Sequence, residues 1–372
     1  MAQPDPDFSA IDHALMARAL RLAERGLFTT QPNPRVGCLI AHDGEVVGEG
    51  WHQRAGEAHA EVFALYAAGG RARGATAYVT LEPCSHFGRT PPCADAMLEA
   101  GIARVVVAAE DPNPEVAGGG LQSLRDAGIR VEAGLMRDAA RELNRGFFSR
   151  FERGRPWQRV KLAMSLDGRT ALANGESKWI TGEAARADVQ CWRARSSAIL
   201  TASGTARADN PRLTVRLPDG AEFVPPLRVV LDPRLDALSP QANLLDGSAP
   251  TLVLHAPGAQ APDERHSRVD LATVDTGADG KLDPRAVLGQ LAARGVNELQ
   301  VEAGPRLCGA LLEAGLVDEL LLYLAPTVLG DDARPLLHLP PLASLATRRD
   351  WRVLDRRMLG VDQRLLLRPA AL

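Results

Sequence analysis

Four residues carry the sharpest chemistry in the chain: His59, Glu61, Cys84 and Cys93. They stand in the runs His59-Ala60-Glu61, Pro83-Cys84 and Pro92-Cys93. An imidazole and two thiolates are ligands that zinc prefers, and three protein ligands leave a fourth tetrahedral position open for water. A metal held in this way lowers the pKa of its water, so hydroxide becomes available near neutral pH. The chemistry that follows is attack on an amidine-like carbon, with a proton carried from the water to the departing amine. Glu61 lies next but one to a ligand at an expected helix start, close to the metal without being needed as a ligand. It is the expected proton carrier. Singly, these residues are ordinary: a cap histidine, two buried thiols. Together they predict a zinc-dependent hydrolytic site.

The pattern is close to the H-x-E…P-C-x-x-C signature of zinc nucleobase deaminases, with one departure. The two cysteines are separated by Ser85 to Pro92, a run of eight residues, SHFGRTPP. That run must loop out and return, with Pro91-Pro92 delivering Cys93 at a helix N-terminus, where a thiolate is favoured.

The second half of the chain gives a weaker signal. It holds no G-x-G-x-x-G, so a Rossmann fingerprint is absent. Leu299 to Leu307 forms a strand–glycine–helix junction, in which Gly304 permits a tight turn and Pro305 suits the first helical position. Such a junction is either a structural turn or a helix N-terminus that binds phosphate. Lys161 sits in an otherwise apolar strand, as an edge-strand lysine or as a group that reaches a substrate.

Longer runs carry a resemblance. NPRVGCLI from Asn33, GEGWHQRAGEAHAE from Gly48, TLEPCSHFGRTPPC from Thr80 and DPNPEVAGGG from Asp111 resemble the deaminase half of the bifunctional riboflavin-biosynthesis deaminase–reductase family. KLAMSLDGRT from Lys161, GESKWIT from Gly175, TARADNPRLTVR from Thr205 and VEAGPRLCGALL from Val301 resemble its reductase half. The eight-residue spacer between the cysteines belongs to that family as well. The resemblance covers about Phe8 to Leu367. It implies a cytidine-deaminase-like three-layer α/β/α domain followed by a dihydrofolate-reductase-like α/β domain, with Zn²⁺ and NADPH as cofactors. It further implies deamination of a phosphoribosylaminopyrimidine, then reduction of the ribosyl group to a ribityl chain. By the same match Asn33, His52 and His86 help to hold the first substrate. Ser177, Arg193, Leu213, Arg216 and Glu302 face the second, a sugar phosphate that Arg193 on a helix and Arg216 at the end of a strand-like run could fork between them. Lys161, from its place in the apolar strand, is expected to reach that substrate near the reacting carbon. Ala163, Trp179, Thr205, Asp209 and the turn Gly304, Pro305, Arg306, Leu307, Cys308, Gly309 and Ala310 line the cofactor. Pro233 follows Asp232, where relatives carry a polar residue that meets the cofactor. A homodimer or homotetramer is implied too.

These side chains need a scaffold, and the pattern of the chain supplies one. Ser9 and Asp12 form a capping box before a helix that ends near Gly26. Strands at 36–41 and 45–51 are joined by Asp43-Gly44, a hairpin turn pair. Helices at 58–68, 94–100 and 120–127 alternate with strands at 76–81, 104–109 and 129–132, and a helix at 143–151 closes the half. This is a three-layer α/β domain. Residues 152–156, ERGRP, break the pattern, so the domains are expected at 8–153 and 154–372, after a loose tail over 1–7. In the second half strands are expected at 157–163, 198–201, 227–231, 251–255, 298–302 and 319–324, and helices at 183–195, 284–294 and 306–314. The polar, Pro-rich stretches 232–250 and 256–270 are expected as surface loops.

Composition removes several classes. The chain has 372 residues, 45% hydrophobic and 24% charged, which suits two globular domains. Its net charge is −3, and acidic residues outnumber basic ones in the first half, against a nucleic-acid partner. A deaminase acting on single strands would also want an aromatic-lined channel, and aromatics make up only 4%. No apolar run reaches membrane-spanning length and the first residues, MAQPDPDFSA, lack a secretory pattern, so no membrane association is expected. Five scattered cysteines fit a reducing compartment, the cytoplasm. A non-catalytic scaffold would have lost Glu61 or a ligand, and none is lost. The alternative that survives is an active deaminase beside an inactive or divergent reductase.

Overall fold

In the computed structural model residues 7–85, 92–260 and 267–370 are described. The chain divides into two compact units, Met1–Gly154 and Arg155–Leu372.

The first unit opens with α1 (Ala10–Glu24), capped as its sequence demands. The Ser9 hydroxyl accepts the Asp12 N–H at 3.1 Å, and the Asp12 carboxylate accepts the Ser9 N–H at 2.9 Å. Then come β1 (Gly37–His42), β2 (Glu45–Trp51), α2 (Ala60–Ala68), β3 (Thr76–Val79), α3 (Cys93–Ala100), β4 (Arg104–Val107), α4 (Gly119–Asp126), β5 (Arg130–Ala133), α5 (Arg137–Leu143) and α6 (Arg145–Arg153). The strands form one sheet in the order β2-β1-β3-β4-β5. The β1–β2 hairpin and the β1–β3 pair are antiparallel, and β3-β4-β5 run parallel. Alternate side chains feed two cores. Cys38, Ile40, Ala77 and Val105 pack with Ala64, Met97 and Leu124 of α2, α3 and α4. Leu39, Ala41, Tyr78 and Val106 pack with Leu15, Ala19 and Phe148 of α1 and α6. That is the three-layer sandwich expected from the sequence. The closing helix is two helices, α5 and α6, meeting at Asn144.

The second unit runs β6 (Trp157–Met164), β7 (Arg169–Ala171), α7 (Glu183–Arg195), β8 (Ala198–Ala202), α8 (Ser203–Asp209), β9 (Leu227–Leu231), β10 (Thr251–His255), β11 (Asp270–Thr273), α9 (Pro284–Ala293), β12 (Glu298–Val301), α10 (Pro305–Glu313), β13 (Glu319–Leu324), β14 (Arg334–Pro335), β15 (Trp351–Leu359) and β16 (Asp362–Pro369). Its main sheet has the order β11-β10-β9-β8-β12-β6-β13-β16-β15. The strands from β11 to β13 are parallel, and the terminal hairpin β15–β16 adds antiparallel to β13. One face is apolar: Val160 and Leu162 pack with Leu288 and Leu291 of α9 and Leu311 of α10. The other face turns Arg159, Lys161 and Ala163 toward the side where Ala185 and Val189 of α7 join Leu321 and Tyr323 in a small core.

One expectation fails here. Residues 232–250 are not a surface loop: Leu235, Ala237, Leu238, Leu244 and Leu245 are buried in a core with Ile199, Val230 and Val253. Two buried polar groups make that possible by satisfying the loop backbone, as buried carbonyls and N–H groups require. Arg228 donates to the carbonyls of Leu244 and Ala249, and the Asp232 carboxylate accepts the Ala237 N–H at 2.7 Å. Part of the stretch 256–270 lies outside the described residues, and its last residue, Asp270, opens β11.

Candidate active sites

The first site is built at the junctions of α2 and α3 with the sheet. His59 is the residue before α2, in extended conformation, and Glu61 is in the first turn. Glycines in β2 set the height of that helix. A Cβ on Gly50 would stand 2.4 Å from the Ala60 carbonyl oxygen, and one on Gly48 2.3 Å from that of Ala64. Cys93 opens α3 after Pro92, as expected. Cys84 follows β3 by a short extended run, and its carbonyl accepts the Ala94 N–H at 3.2 Å.

The His59 Nδ1 lies 3.2 Å from the Cys93 Sγ and 3.6 Å from the Cys84 Sγ, and the Cys93 N–H points at the Cys84 Sγ at 3.4 Å. All three ligand atoms fall within 4.8 Å of one another, the one such group among the described residues. The hydrogen bond with Cys93 pulls the Cys84 thiol down to about 4, helped by His59. The same pairing, with burial, pushes the Cys93 thiol up. A divalent cation binds thiolates and displaces their protons. This donor set fits zinc.

Glu61 is buried, at 3% exposure, and its Oε2 has no hydrogen-bond partner among the described residues. Burial lifts its carboxyl to about 7, against the pull of His59. An acid poised there is suited to both taking and giving a proton.

Asn33 and His52 are brought together beside these ligands. The His52 ring meets the His59 ring edge-on at 5.4 Å. Its Nδ1 faces the Ala58 carbonyl at 3.1 Å and therefore carries the proton. Its Nε2, 3.1 Å from the Asn33 Nδ2, must then accept from that amide. Burial lowers the His52 pKa, which keeps the ring in this neutral form. His86 lies outside the described residues.

The second site lies on the α7 face of the large sheet. The registers of β6 with β12 and β13 put Glu302 just past the Val301–Val160 pair, beside Lys161, and Leu321 on the other side of the lysine. The Arg193 guanidinium grips Glu302 with two bonds of 2.7 Å and gives a third to the Thr214 carbonyl at 2.9 Å. Gln300 adds a bond to the Glu302 Oε1 at 2.8 Å. Against the cost of burial, Arg193 and Lys161 hold the Glu302 carboxyl down at about 2. Burial lowers the Lys161 pKa, opposed by Glu302 and reinforced by Arg193. Its ammonium sits 5.7 Å from the centre of the Tyr323 ring. The expected pair of phosphate-forking arginines is not what forms. Arg193 is already bidentate with Glu302, and Arg216 is exposed, with its backbone N–H held by Gln190 at 3.0 Å. Leu213 is buried with φ of 49°, a left-handed conformation rare for a bulky residue and typical of constrained sites.

Among the cofactor candidates, Thr205 and the Gly304 turn meet beyond the ends of β8 and β12. Gly304 precedes α10, with Pro305 at its first position, as the sequence implied. The Thr205 Oγ1 of α8 would stand 3.8 Å from a Cβ on Gly304. The first N–H groups of α10 have no partner within the helix and suit a phosphate. Arg306 and Ala310 are exposed, Ala163 and Leu307 partly so, and Asp209 and Trp179 are exposed, the indole stacked on Arg186 at 4.7 Å. Cys308 and Gly309 are turned inward: the thiol donates to the Ala303 carbonyl, and a Cβ on Gly309 would meet the His338 carbonyl oxygen at 2.0 Å. Ser177 is half-buried in the loop after β7. Sequence reasoning missed Gln300 and Tyr323, which support Glu302 and Lys161. Alternation along β12 was the available signal for Gln300.

Comparison with known proteins bears on both sites. Residues 9–109 match the cytidine and deoxycytidylate deaminase zinc-binding region, and residues 156–359 match the RibD C-terminal domain. The riboflavin biosynthesis protein RibD of Escherichia coli K12 is 51% identical over 94% of this chain and 97% of its own. The chain belongs to the RibD family. The Haemophilus influenzae RibD is 45% identical over 98% of this chain and 99% of its own. The structure of Acinetobacter baumannii RibD, form 1, superposes with a TM-score of 0.90 at 44% identity, covering 97% of this chain and 99% of that one. The protein is thus a bifunctional enzyme of riboflavin biosynthesis. A cytidine-deaminase-like α/β domain is followed by a dihydrofolate-reductase-like reductase domain, and Zn²⁺ and NADPH are the cofactors. Among the described residues no helix is long and apolar enough to cross a membrane.

Proposed function

We propose that residues 8–153 hydrolytically deaminate 2,5-diamino-6-(5-phosphoribosylamino)pyrimidin-4(3H)-one, and that residues 154–372 reduce the ribosyl group of the product to a ribityl chain. A solved relative from Thermotoga maritima, 30% identical with a TM-score of 0.83, is named as a deaminase and reductase of this substrate class. The observation that carries the reading is the His59–Cys84–Cys93 cluster beside the buried Glu61 carboxyl, whose Oε2 has no hydrogen-bond partner among the described residues. His59, Cys84 and Cys93 hold the zinc, which when bound supplies Lewis acidity and an acidified water. Glu61 takes a proton from the attacking water and gives one to the leaving amine, so that ammonia departs. Asn33, its Nδ2 engaged with His52, keeps its Oδ1 and second N–H for the pyrimidine edge. His52 fixes that orientation, and His86 remains a further substrate contact.

NADPH, when bound, supplies the hydride in the second half. Ala163, Trp179, Thr205, Asp209 and the turn from Gly304 to Ala310 are its contacts. Lys161 stands at the reacting carbon and gives a proton to the sugar oxygen released as the hydride arrives. Glu302, fixed by Arg193, faces the substrate with Ser177 and Leu213, and Arg216 is the arginine left to meet its phosphate. A homo-oligomer in the cytoplasm completes the reading. The apolar side chains Val353, Met358 and Val361, exposed on and beside the edge strand β15, and five cysteines outside any disulfide support it.

The test supplies zinc-loaded protein with the diaminopyrimidine ribotide. Ammonia released without NADPH, followed by NADPH oxidation once it is added, is the expected result. Absence of ammonia from metal-loaded protein overturns the substrate assignment.

A further inference from the structure

Glu82 precedes the Pro83-Cys84 pair, and its carboxylate does something unusual. It is 4% exposed and accepts four backbone N–H groups. The Oε2 accepts from Asp111 and Gly118, each at 3.1 Å, and the Oε1 from Gly120 at 3.0 Å and Leu121 at 3.2 Å. Gly120 and Leu121 lie in the first turn of α4, whose N–H groups otherwise lack partners and favour a negative charge. The same turn grips the chain on both sides of Cys84. A Cβ on Gly120 would stand 1.8 Å from the Pro83 carbonyl oxygen, and one on Gly119 2.8 Å from the Ser85 Oγ. Gly118, at φ of 76°, turns the chain into this contact. The Glu82 N–H donates to the Ala109 carbonyl at 2.9 Å, tying the run to the end of β4 as well. The glycines of the Asp111–Gly120 run thus form a close-fitting seat for the segment that bears one thiol.

We propose that Glu82 is a positioning residue for the metal centre: it caps α4 from outside the helix and so fixes the place of the Cys84 sulfur. The inference rests on the zinc-dependent reading of this half. It assigns the glycine run a mechanical role in metal binding, since a ligand held by a rigid neighbour needs no rearrangement when the ion arrives. Partners that orient ligands in this way alter metal affinity by about 10–100-fold when removed.

The experiment compares wild type, Glu82→Gln and Gly120→Ala. Gln replaces one carboxylate oxygen with a donor, which cannot accept the two N–H groups aimed at it. Ala leaves Glu82 intact and pushes the Pro83 carbonyl away. Zinc affinity is read by chelator competition, and ligand geometry by the visible absorption of the Co²⁺-substituted protein at saturation. NADPH oxidation on deaminated substrate reports whether the second domain is intact. Both variants are expected to lose zinc affinity by about 10–100-fold, with an altered Co²⁺ spectrum at saturation and normal NADPH oxidation. Glu82→Asp, which keeps the charge on a shorter arm, is expected to fall between them and wild type, and it serves if Glu82→Gln does not fold. Wild-type affinity, or a wild-type Co²⁺ spectrum once the site is filled, overturns the proposal. Failure of the wild type itself to bind zinc overturns the zinc-dependent reading instead.

Discussion

The two sites handle buried charge in opposite ways. In the first domain Glu61 is buried, its Oε2 has no hydrogen-bond partner among the described residues, and its pKa is raised to about 7. In the second, Glu302 is bound by Arg193 and Gln300 and its pKa is lowered to about 2. A carboxyl that must exchange protons is kept without strong partners. One that must stay ionised to hold a shape is surrounded by donors. The cation in the second site is the poised group: burial lowers the Lys161 pKa, and the Arg193–Glu302 pair partly offsets itself beside it. One domain therefore prepares a carboxyl and the other a lysine to exchange protons, by the same burial acting on opposite charges.

That contrast can be broken by substitution. The largest effect is expected for Glu61→Gln, which should lower ammonia release by about 10²–10⁴-fold while zinc content and NADPH oxidation on deaminated substrate stay normal. Lys161→Met comes next. Reduction should fall by about 10²-fold or more, with deamination untouched, and the second domain should melt at a higher temperature. The sign follows from linkage. A lysine whose folded pKa is lowered costs stability while it is protonated, and that cost disappears only as pH rises to its unfolded value near 10.5. A calorimetric scan at neutral pH with no rise in melting temperature would count against a buried, poised lysine.

Arg193→Leu sharpens the comparison from the other side. It removes the bidentate partner of Glu302 and should destabilise the second domain by about 3 kcal/mol in denaturant titrations, at the low end for a broken buried pair because Lys161 remains nearby. It also removes a repulsive neighbour, so the Lys161 pKa should rise and the alkaline limb of the reductase pH profile should move upward. The smallest effect is expected for Cys191→Ser. Cys191 is exposed on α7, apart from the ligand cluster, and its loss should change neither zinc content nor stability by more than about 0.5 kcal/mol.

The sites also differ in how far they could be read from residues. Zinc restricts its ligands to a few side chains, so His59, Cys84 and Cys93 stand out even with an unusual spacer. Lys161, Arg193 and Glu302 are common residue types brought together from distant parts of the chain; Lys161 stood out only as a lysine in an apolar strand, and the family resemblance alone singled out Arg193 and Glu302. Their exact partnership, with Arg193 facing protein and not phosphate, depends on the register of β6 with β12. The elements follow a similar division. Asp43-Gly44 and the Ser9–Asp12 box are local signals, and the hairpin and cap form where they stand. The terminal hairpin β15–β16 was not legible, because its edge strand is largely exposed and its run of arginines obscures alternation. Nor was α8, a short helix whose single buried residue is Ala206. The stretch 232–250 misled because its polar residues are what let its leucines go inside.

The most direct measurement of the central claim, two independently poised sites on one chain, is a crossed assay of Glu61→Gln and Lys161→Met. Each zinc-loaded variant is given the diaminopyrimidine ribotide, and ammonia and NADPH oxidation are followed separately. Each is then given the deaminated intermediate with NADPH. Glu61→Gln should release no ammonia yet oxidise NADPH on the intermediate, and Lys161→Met should release ammonia at the wild-type rate yet leave NADPH unoxidised. Loss of both activities in either variant would contradict the account.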